Sequence, residues 1–428
     1  MLKYTRRSDS MKKMTFKTEP YIIKNKGYST IDFEIIYPCK YSEDNSIYMP
    51  FLCQMLSTTS KKYNTEKKYR EALFEKLIVS KRIYSVTFNT NTFIKFRLTL
   101  PDPKKLKGYD FEEGLKLFTE IIYNPNVENG LFNARCFNRE KRYQENCIKD
   151  SKKEVSTRAY YSFLNIVDDK NLLKRSLYNN LEKFKKITNK RLYEKYEENI
   201  LNNDPVVFIY GDVDRDIERL VKKYFKPKNK KISFVEDYSN YLIPFKKVKD
   251  IEEDSNYNQS ILYMGYKVKD MKKEDEIYLT LIKNFLAHKP IDLVFKKLRM
   301  EKQLVYSSDV LSERRYGLLC ISTYINNSSK DEVLKSIEEI LEGLKSKEKL
   351  KEYRLEIINS MNNDLIRRKD SKYKKMYDFI DKRFNVSNTI EDLIIKFKNI
   401  DIDKLLDLLD RLTLDTIYFL KGEFNEKE

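Results

Sequence analysis

The strongest constraint on the fold is an internal repeat, in which the second half of the chain follows the segment order of the first half. The stretch FEKLIVSKRIYSV is echoed by FKKLRMEKQLVYSS, so that Phe295 aligns with Phe74. The stretch VVFIYGDVD is echoed by DTIYFLKGEFN, with Gly422 opposite Gly211. A duplication of this kind indicates two copies of one structural unit.

Hydrophobic periodicity predicts the elements of both copies. We expect strands over 30–37, twice within 83–100, from 205, and over 259–266 and 316–324, with helices over 46–58, 66–78, 111–122, 214–224, 274–287 and 329–344. Ser329 and Glu332 form an S-x-x-E pattern that predicts a capping box for the last of these helices. The predicted boundaries are 1–228 for the N-terminal half, 229–257 for a polar linker, and 258–428 for the C-terminal half.

The fold class that these patterns predict is α+β. Each of two homologous α/β-sandwich halves would contain a mixed or antiparallel sheet with helices on one face.

Composition excludes some functions. No stretch approaches twenty consecutive apolar residues, which predicts that no segment spans a membrane. The N-terminus has no secretory signal pattern, and five scattered cysteines without a C-x-x-C pair indicate free thiols in a reducing cytoplasm. The net charge of +18 is compatible with nucleic-acid binding, but it is spread along the chain without an RNA-binding motif or zinc-finger spacing. An AT-rich genome, which favours lysine codons, explains the charge as well.

A single histidine, His288, limits the catalytic chemistry. A zinc peptidase of the H-x-x-E-H type or its inverse needs two imidazoles one helical turn apart, and this chain cannot supply them. A Ser-His-Asp or Cys-His arrangement is arithmetically possible, but no G-x-S-x-G elbow accompanies His288. A lone histidine near a helix end is more often structural.

Two segments resemble the pitrilysin/insulinase family of zinc peptidases. The pattern L-R-x-E-x-x-L-x-Y-S over residues 298–307 is similar to the second half of that family, and PFLCQML followed by STTSKKYNT is similar to its metal motif, H-F-L-E-H-M-L followed by G-T-K-K-Y-P-T. The first ligand histidine falls on Pro50, the catalytic glutamate on Cys53 and the second ligand histidine on Gln54. The resemblance runs from about residue 28 to about residue 425.

Each of these substitutions removes a function. Proline has no side-chain donor atom, a thiol lacks the carboxylate's fit as general base, and glutamine is a poor zinc ligand. The family's third ligand falls near Glu140, which we interpret as a surface glutamate without a role. The resemblance therefore implies a degenerate motif at Pro50, Cys53 and Gln54, with no metal and no cofactor in this chain.

The resemblance also implies a role for two residues of the second half. In the family, two facing halves form a clamshell: one brings zinc, and the other brings an arginine and a tyrosine. Arg299 would grip peptide carbonyls and Tyr306 would donate to the oxyanion, while Phe295 and Leu298, with Leu304 and Val305, are expected to be core. The family's glycine-rich loop falls on residues 286–290, which contain no glycine.

Some bacterial members are two-chain enzymes, and this chain resembles their non-catalytic subunit, which forms half of the clamshell. It would have no activity alone and would serve a metal-bearing paralogue, with zinc in that partner subunit and a peptide as substrate. The alternative is an inactive structural or peptide-holding scaffold, as in the respiratory complexes that contain family members. Arg299 would then pair with a carboxylate, and Tyr306 would cap a core.

Overall fold

A computed structural model describes residues 11–40, 42–88, 91–168, 173, 180–225, 231–237, 241–368, 371–384 and 388–423. The chain divides into two compact units. The first comprises Met1–Asp150 and Arg175–Asp237, and the second comprises Ser151–Lys174 and Tyr238–Glu428. Each unit contains a five-stranded sheet with helices packed on it, which confirms the predicted α+β class.

The strands alternate with helices along both units. In chain order the strands are β1 Met11–Lys17, β2 Tyr21–Lys24, β3 Thr30–Lys40, β4 Ser80–Phe88, β5 Asn91–Pro101, β6 Val127–Glu128, β7 Leu131–Phe132, β8 Val206–Gly211, β9 Lys231–Asp237, β10 Lys249–Asp254, β11 Ser260–Val268, β12 Val305–Glu313, β13 Leu318–Ile325 and β14 Leu412–Lys421.

The α-helices of the described residues include each of the helices predicted from the sequence. They are α1 Glu43–Leu56, α2 Glu66–Glu75, α3 Phe111–Tyr123, α4 Ala134–Ser151, α5 Val155–Val167, α6 Leu181–Lys185, α7 Asn189–Tyr196, α8 Arg215–Tyr224, α9 Asp275–Ala287, α10 Leu293–Phe295, α11 Lys330–Gly343, α12 Lys347–Arg368, α13 Lys372–Phe384, α14 Ile390–Lys398 and α15 Ile402–Arg411. None of the helices in the described ranges is both long enough and apolar enough to cross a lipid bilayer.

The two sheets have the same topology. The strand order is β2-β8-β3-β5-β4 in the first unit and β10-β14-β11-β13-β12 in the second. In both, the strand of the sheet that comes first in the chain pairs in parallel with the strand of the sheet that comes last, and every other neighbour is antiparallel. A shared order with one parallel edge pair is the structural counterpart of the sequence repeat.

In the first unit, alternate side chains of β3 point into the core under α1 and α3. Ile31, Phe33 and Ile35 are fully buried there. The opposite face of β3 carries Glu34, whose carboxylate accepts from Arg97 Nε on β5 at 2.8 Å. A strand with period-two side chains therefore has an apolar face and a buried ionic face.

The second sheet is covered on both faces. Helices α9, α11, α12, α14 and α15 cover one face. The other face receives α5, where the Phe163 ring stacks on Tyr263 with centroids 5.1 Å apart. Gly265 permits this approach, since a Cβ there would lie 2.9 Å from the Phe163 ring. The prediction placed helices on one face of each sheet, and in the second unit α5 also covers the other face.

A buried ion pair joins the two central strands of the second sheet. Lys267 on β11 and Asp415 on β14 are fully buried, with Nζ 3.1 Å from Oδ2. Asp415 is the extra residue of a β-bulge, because Gly265 lies opposite Thr416 while the next residue lies opposite Leu414. Asp415 also accepts the backbone N–H of Phe245 at 2.6 Å. The pair therefore holds the bulge against the segment that precedes β10.

Two local expectations differ from the structure. Part of the predicted linker 229–257 forms strands, since β9 pairs with β1 and β10 pairs with β14. The predicted capping box at Ser329 is wrong: its backbone is helical (φ −91°, ψ −2°), because the 3₁₀ turn Asn327–Ser329 precedes α11, and its side chain makes no capping bond. A capping box forms instead between Thr389 and Asp392, at the start of α14.

Candidate functional site

Helix α1 carries the three residues at the degenerate metal motif. The helix begins after Ser42, whose hydroxyl accepts the N–H of Asn45 at 3.0 Å. Pro50 lies inside the helix and cannot donate a backbone N–H to the preceding turn. Cys53 is buried, and burial raises the pKa of its thiol well above its ordinary value. Neither residue presents a ready metal ligand.

The third motif residue, Gln54, contacts Glu140 on α4. Its Nε2 donates to Glu140 Oε2 at 2.7 Å, and Arg139 Nε donates to Glu140 Oε1 at 2.8 Å. Arg139 also forms an ion pair with Glu66 at 3.0 Å. Glu140 is only 3% exposed, so its interpretation as a surface glutamate is wrong. The structure instead places the carboxylate directly beside the motif helix.

These residues do not fit a catalytic zinc ion. A catalytic zinc needs three protein ligands with free lone pairs and an open position for water. Here both oxygens of Glu140 already accept hydrogen bonds, from Gln54 and Arg139, and Pro50 offers no donor atom. Across the described residues, no group of three or more His, Cys, Asp or Glu side chains is placed to hold a metal ion.

A cavity of about 470 Å³ opens beside this cluster. One of its walls carries Lys81 of β4, whose Nζ donates to the Ser57 carbonyl at 2.9 Å and to the Tyr69 hydroxyl at 2.6 Å. The ammonium also lies 4.3 Å from the centroid of the Tyr69 ring. Burial without a carboxylate partner lowers the pKa of Lys81 to about 7.

This shift predicts a pH dependence of stability. In the folded chain Lys81 loses its proton near pH 7, and in the unfolded chain near pH 10.4, so the unfolded state binds more protons between these values. The free energy of unfolding should therefore rise with pH across this window. Lys81→Met should flatten the rise in urea titrations at successive pH values. Lys67→Met, at an exposed lysine on α2, is the matched control, and equal slopes for both variants would contradict the prediction.

The Arg–Tyr segment lies at the edge of the second sheet. Arg299 belongs to a π-helical turn, Lys296–Glu301, and its Nη1 donates to the Val305 carbonyl at 2.9 Å. Tyr306 follows on the edge strand β12, where the pairing passes from Val305 directly to Ser307 across a bulge. Its side chain is 50% exposed, and its hydroxyl donates to Asn326 Oδ1 at 2.7 Å. The guanidinium of Arg299 is thus anchored to the residue that precedes Tyr306 in the chain.

The core residues predicted around this segment agree only partly with the burial seen in the structure. Leu298 and Val305 are buried as predicted, and Leu304 packs against the same core. The prediction for Phe295 is wrong, since it is 37% exposed at the end of α10, and its counterpart Phe74 is 82% exposed. Both phenylalanines lie on the outward side of their short helices.

Sequence analysis missed three residues of these sites: Arg139, Lys81 and Asn326. The pairing of Arg139 with Glu140 had a signal, because Arg139 is a cation next to the carboxylate at the third ligand position. Lys81 and Asn326 had none, since their partners Tyr69 and Tyr306 are recognisable only in the folded chain. His288 ends α9 by donating its N–H to the Asn284 carbonyl at 2.9 Å, which is a structural position.

Two sheets of one topology, with a proline, an amide and a hydrogen-bonded carboxylate at the three metal-ligand positions, define a peptidase-like protein with a degenerate metal motif. Comparison with known proteins agrees. Residues 186–360 match the family described as Peptidase M16 inactive domain. The probable inactive metalloprotease YmfF of Bacillus subtilis (strain 168) is 23% identical over 341 residues, which are 77% of this chain and 78% of the relative.

Solved structures show the same fold. A conserved protein from Enterococcus faecalis V583 superposes with a TM-score of 0.78 at 18% identity, covering 97% of this chain and 100% of the other. A peptidase M16 inactive domain from Pseudomonas fluorescens gives 0.70 at 12% identity, covering 97% and 99%. The chain is thus similar, in residues 186–360 and in its fold, to proteins described as inactive members of the M16 peptidases, in agreement with the resemblance to the pitrilysin/insulinase family.

Proposed function

We propose that this chain is the non-catalytic subunit of a heterodimeric zinc peptidase and completes the peptide-binding cleft of a metal-bearing paralogue. Zinc would be bound by the partner subunit. One observation supports the proposal: Arg299 is anchored to the Val305 carbonyl, and the next residue, Tyr306, has an exposed hydroxyl on the edge strand β12, in a chain whose own metal positions are filled. These two side chains would act on a substrate that the partner cleaves.

The contacts of Arg299 leave it able to hold a peptide. A guanidinium has five N–H donors in a fixed fork, and the contact with the Val305 carbonyl uses Nη1. Further donors of this fork suit the carbonyl oxygens of an extended peptide. The bond to the backbone would keep the fork in position before the substrate arrives.

The hydroxyl of Tyr306 donates to a neutral amide oxygen, that of Asn326, in the free chain. An oxyanion is a stronger acceptor than an amide, because a hydrogen bond to a charged group is roughly twice as strong as a neutral one. The proton would therefore turn to the oxyanion as negative charge develops on the scissile carbonyl. A contact that strengthens only at that stage lowers the barrier rather than merely tightening substrate binding.

The position of the pair also suits the substrate class. Within the described residues, β12 is the terminal strand of its sheet and pairs with β13 alone. An unfolded peptide, such as a precursor of a secreted peptide, would add to this edge as a further strand, as extended peptides do in other proteins. Peptide processing is thus the proposed role of the heterodimer.

We infer a cytoplasmic location from the thiols. All five cysteines are free, and four of them are buried. Buried thiols that form no disulfide are typical of proteins kept in a reducing compartment.

The alternative function is an inactive structural or peptide-holding scaffold. It is supported by the description of the Bacillus relative as a probable inactive metalloprotease and by the fully satisfied Gln54–Glu140–Arg139 cluster. A scaffold would assemble with its partner or hold a peptide without changing the rate of cleavage.

A complementation experiment separates the two functions. The chain is mixed with a paralogue from the same genome that has an intact metal motif, and cleavage of a quenched fluorescent peptide is followed. We expect cleavage only when both chains are present, with zinc detected only in the paralogue. If the paralogue alone cleaves the peptide at the same rate, the scaffold alternative replaces the subunit proposal.

A further inference from the structure

The side chain of Lys81 lines a cavity that the proposed peptide contacts do not explain. This cavity of about 470 Å³ has walls from α1, the turn after it, α2, β4 and α4. Its volume is within the range typical of pockets that bind small molecules. All of its lining residues belong to the first unit, and neither Arg299 nor Tyr306 is among them. Chemistry at Lys81 would therefore be separate from the proposed heterodimeric function.

The amine of Lys81 has two hydrogen-bond acceptors among the described residues. Its Nζ donates to the Ser57 carbonyl at 2.9 Å and to the Tyr69 hydroxyl at 2.6 Å. The hydroxyl accepts this bond because its own proton is donated to the Leu56 carbonyl at 3.3 Å. A lysine ammonium has three N–H donors, whereas the neutral amine has two and a lone pair. The two acceptors therefore match the neutral amine and leave its lone pair unused.

The charged groups of the cavity pair with one another rather than with Lys81. The lining contains two carboxylates and two guanidiniums, those of Glu66, Glu140, Arg70 and Arg139. Arg139 lies 3.0 Å from Glu66 and donates to Glu140 at 2.8 Å. Arg70 lies 3.5 Å from Glu66. Burial is thus not offset by a carboxylate and lowers the pKa of Lys81 to about 7, so that roughly half of the amine is neutral near pH 7.

The rest of the lining suits a small molecule with an apolar body. Leu73 on α2 and Tyr143 on α4 contribute apolar surface, and the ring of Tyr69 lies with its centroid 4.3 Å from Lys81 Nζ. Lysines that are shielded from water and held neutral are the ones that attack carbonyl carbons and form Schiff bases. A carbonyl compound in this cavity would meet the amine at the position of its unused lone pair.

We propose that Lys81 is a nucleophile that binds a small aldehyde in this cavity as an imine. The lone pair of Nζ attacks the carbonyl carbon and forms a C–N bond, which gives a carbinolamine. The carbinolamine then breaks its C–O bond, and the aldehyde oxygen leaves as water with the two protons of the amine. An imine that takes up a proton from solvent has one N–H, which can donate to the Ser57 carbonyl. The reaction is a condensation and needs no oxidant or reductant.

Reductive trapping on the full chain tests this site. The chain is incubated at about pH 7.5 with benzaldehyde and sodium cyanoborohydride, which reduces an imine to a stable secondary amine, and peptide mass spectrometry measures the benzyl group at each lysine. We expect Lys81 to be labelled at least about tenfold faster than the exposed Lys67 in the same sample, because a far larger fraction of its amine is neutral. The rate at Lys81 should saturate with benzaldehyde concentration, whereas the rate at Lys67 should rise in proportion to it.

Matched variants locate the reaction. Lys81→Arg keeps N–H donors for the Ser57 carbonyl and the Tyr69 hydroxyl but removes the nucleophile, so the rapid labelling should disappear. Lys67→Arg, outside the cavity, should change the rate at Lys81 by less than about twofold. Circular dichroism verifies that both variants fold. Equal labelling rates at Lys81 and Lys67 in the unmodified chain, or rapid labelling that survives Lys81→Arg, would overturn the proposal and leave Lys81 as a structural donor to Ser57 and Tyr69.

Discussion

Tyr306→Phe is expected to lower the turnover of the proposed two-chain peptidase by about 100-fold while leaving its assembly unchanged. The substitution removes one hydroxyl and keeps the ring, so β12 and its bulge should persist. The lost donor would otherwise contact the developing oxyanion, and a positioned donor of this kind typically contributes about 3 kcal/mol to transition-state stabilisation. The loss should therefore appear in kcat, measured with the quenched fluorescent peptide under saturating substrate.

Two controls make this result specific. Tyr373→Phe, at an exposed tyrosine on α13 of the same unit, should leave kcat within about twofold of the unmodified complex. Size-exclusion chromatography of the mixed chains verifies that both variants still assemble. Unchanged turnover for Tyr306→Phe in an assembled complex would remove the tyrosine from the mechanism and return Tyr306 to a role in local packing.

Lys267→Met is expected to have the largest effect on stability, lowering the free energy of unfolding by about 3–5 kcal/mol. The substitution leaves the carboxylate of Asp415 fully buried without its cation, at a bulge between the central strands of the second sheet. The backbone N–H of Phe245 and the hydroxyl of Thr416 remain as donors, but neither carries a full charge. Urea denaturation followed by circular dichroism measures the loss directly.

A double variant separates two contributions to the free energy of unfolding: the destabilisation caused by a buried Asp415 carboxylate without its cation, and the net stabilisation by the Lys267–Asp415 ion pair. Lys267→Met combined with Asp415→Leu removes both charges and should recover much of the stability, because a buried ion pair is often worth no more than an apolar pair of similar volume. Lys67→Met, which breaks an exposed pair with Glu71, should cost less than about 0.5 kcal/mol. If Lys267→Met lowered the free energy of unfolding as little as Lys67→Met does, water would have to reach the carboxylate of Asp415.

Local sequence patterns predicted those strands and helices whose apolar residues recur with the period of a strand or of a helix. The stretch around Ile31–Tyr37 and the helical stretch of α11 were found from sequence because their apolar residues repeat with the period of a strand or a helix and pack in the core of their own unit. Strand β10 was not found, since its residues are exposed and polar and only its pairing with β14 makes it a strand. Long-range pairing of this kind leaves no periodic signal.

The sites show the same division. Arg299 and Tyr306 were predicted from a segment that resembles the family, and their role stays a prediction; the structure adds that Arg299 donates to the carbonyl of Val305, the residue before Tyr306. The partnership of Gln54 with Glu140 was missed because the two residues are 86 positions apart, and sequence spacing does not encode a contact between two helices. The exchange of a ligand histidine for Gln54 can be interpreted only when the structure shows that Gln54 on α1 donates to Glu140 on α4.

The position of helix α5 limits how far the two copies of the repeat are independent of each other. It lies in the chain between elements of the first unit, yet its Phe163 and Val167 cover Tyr263 and Leu318 on the second sheet. A cut at the repeat boundary would strip the second copy of that cover and leave an aromatic surface open to water. The second sheet therefore depends on a helix that precedes it in the N-terminal half of the chain. Deleting or exchanging that half would require a new cover for the face of the second sheet on which α5 packs.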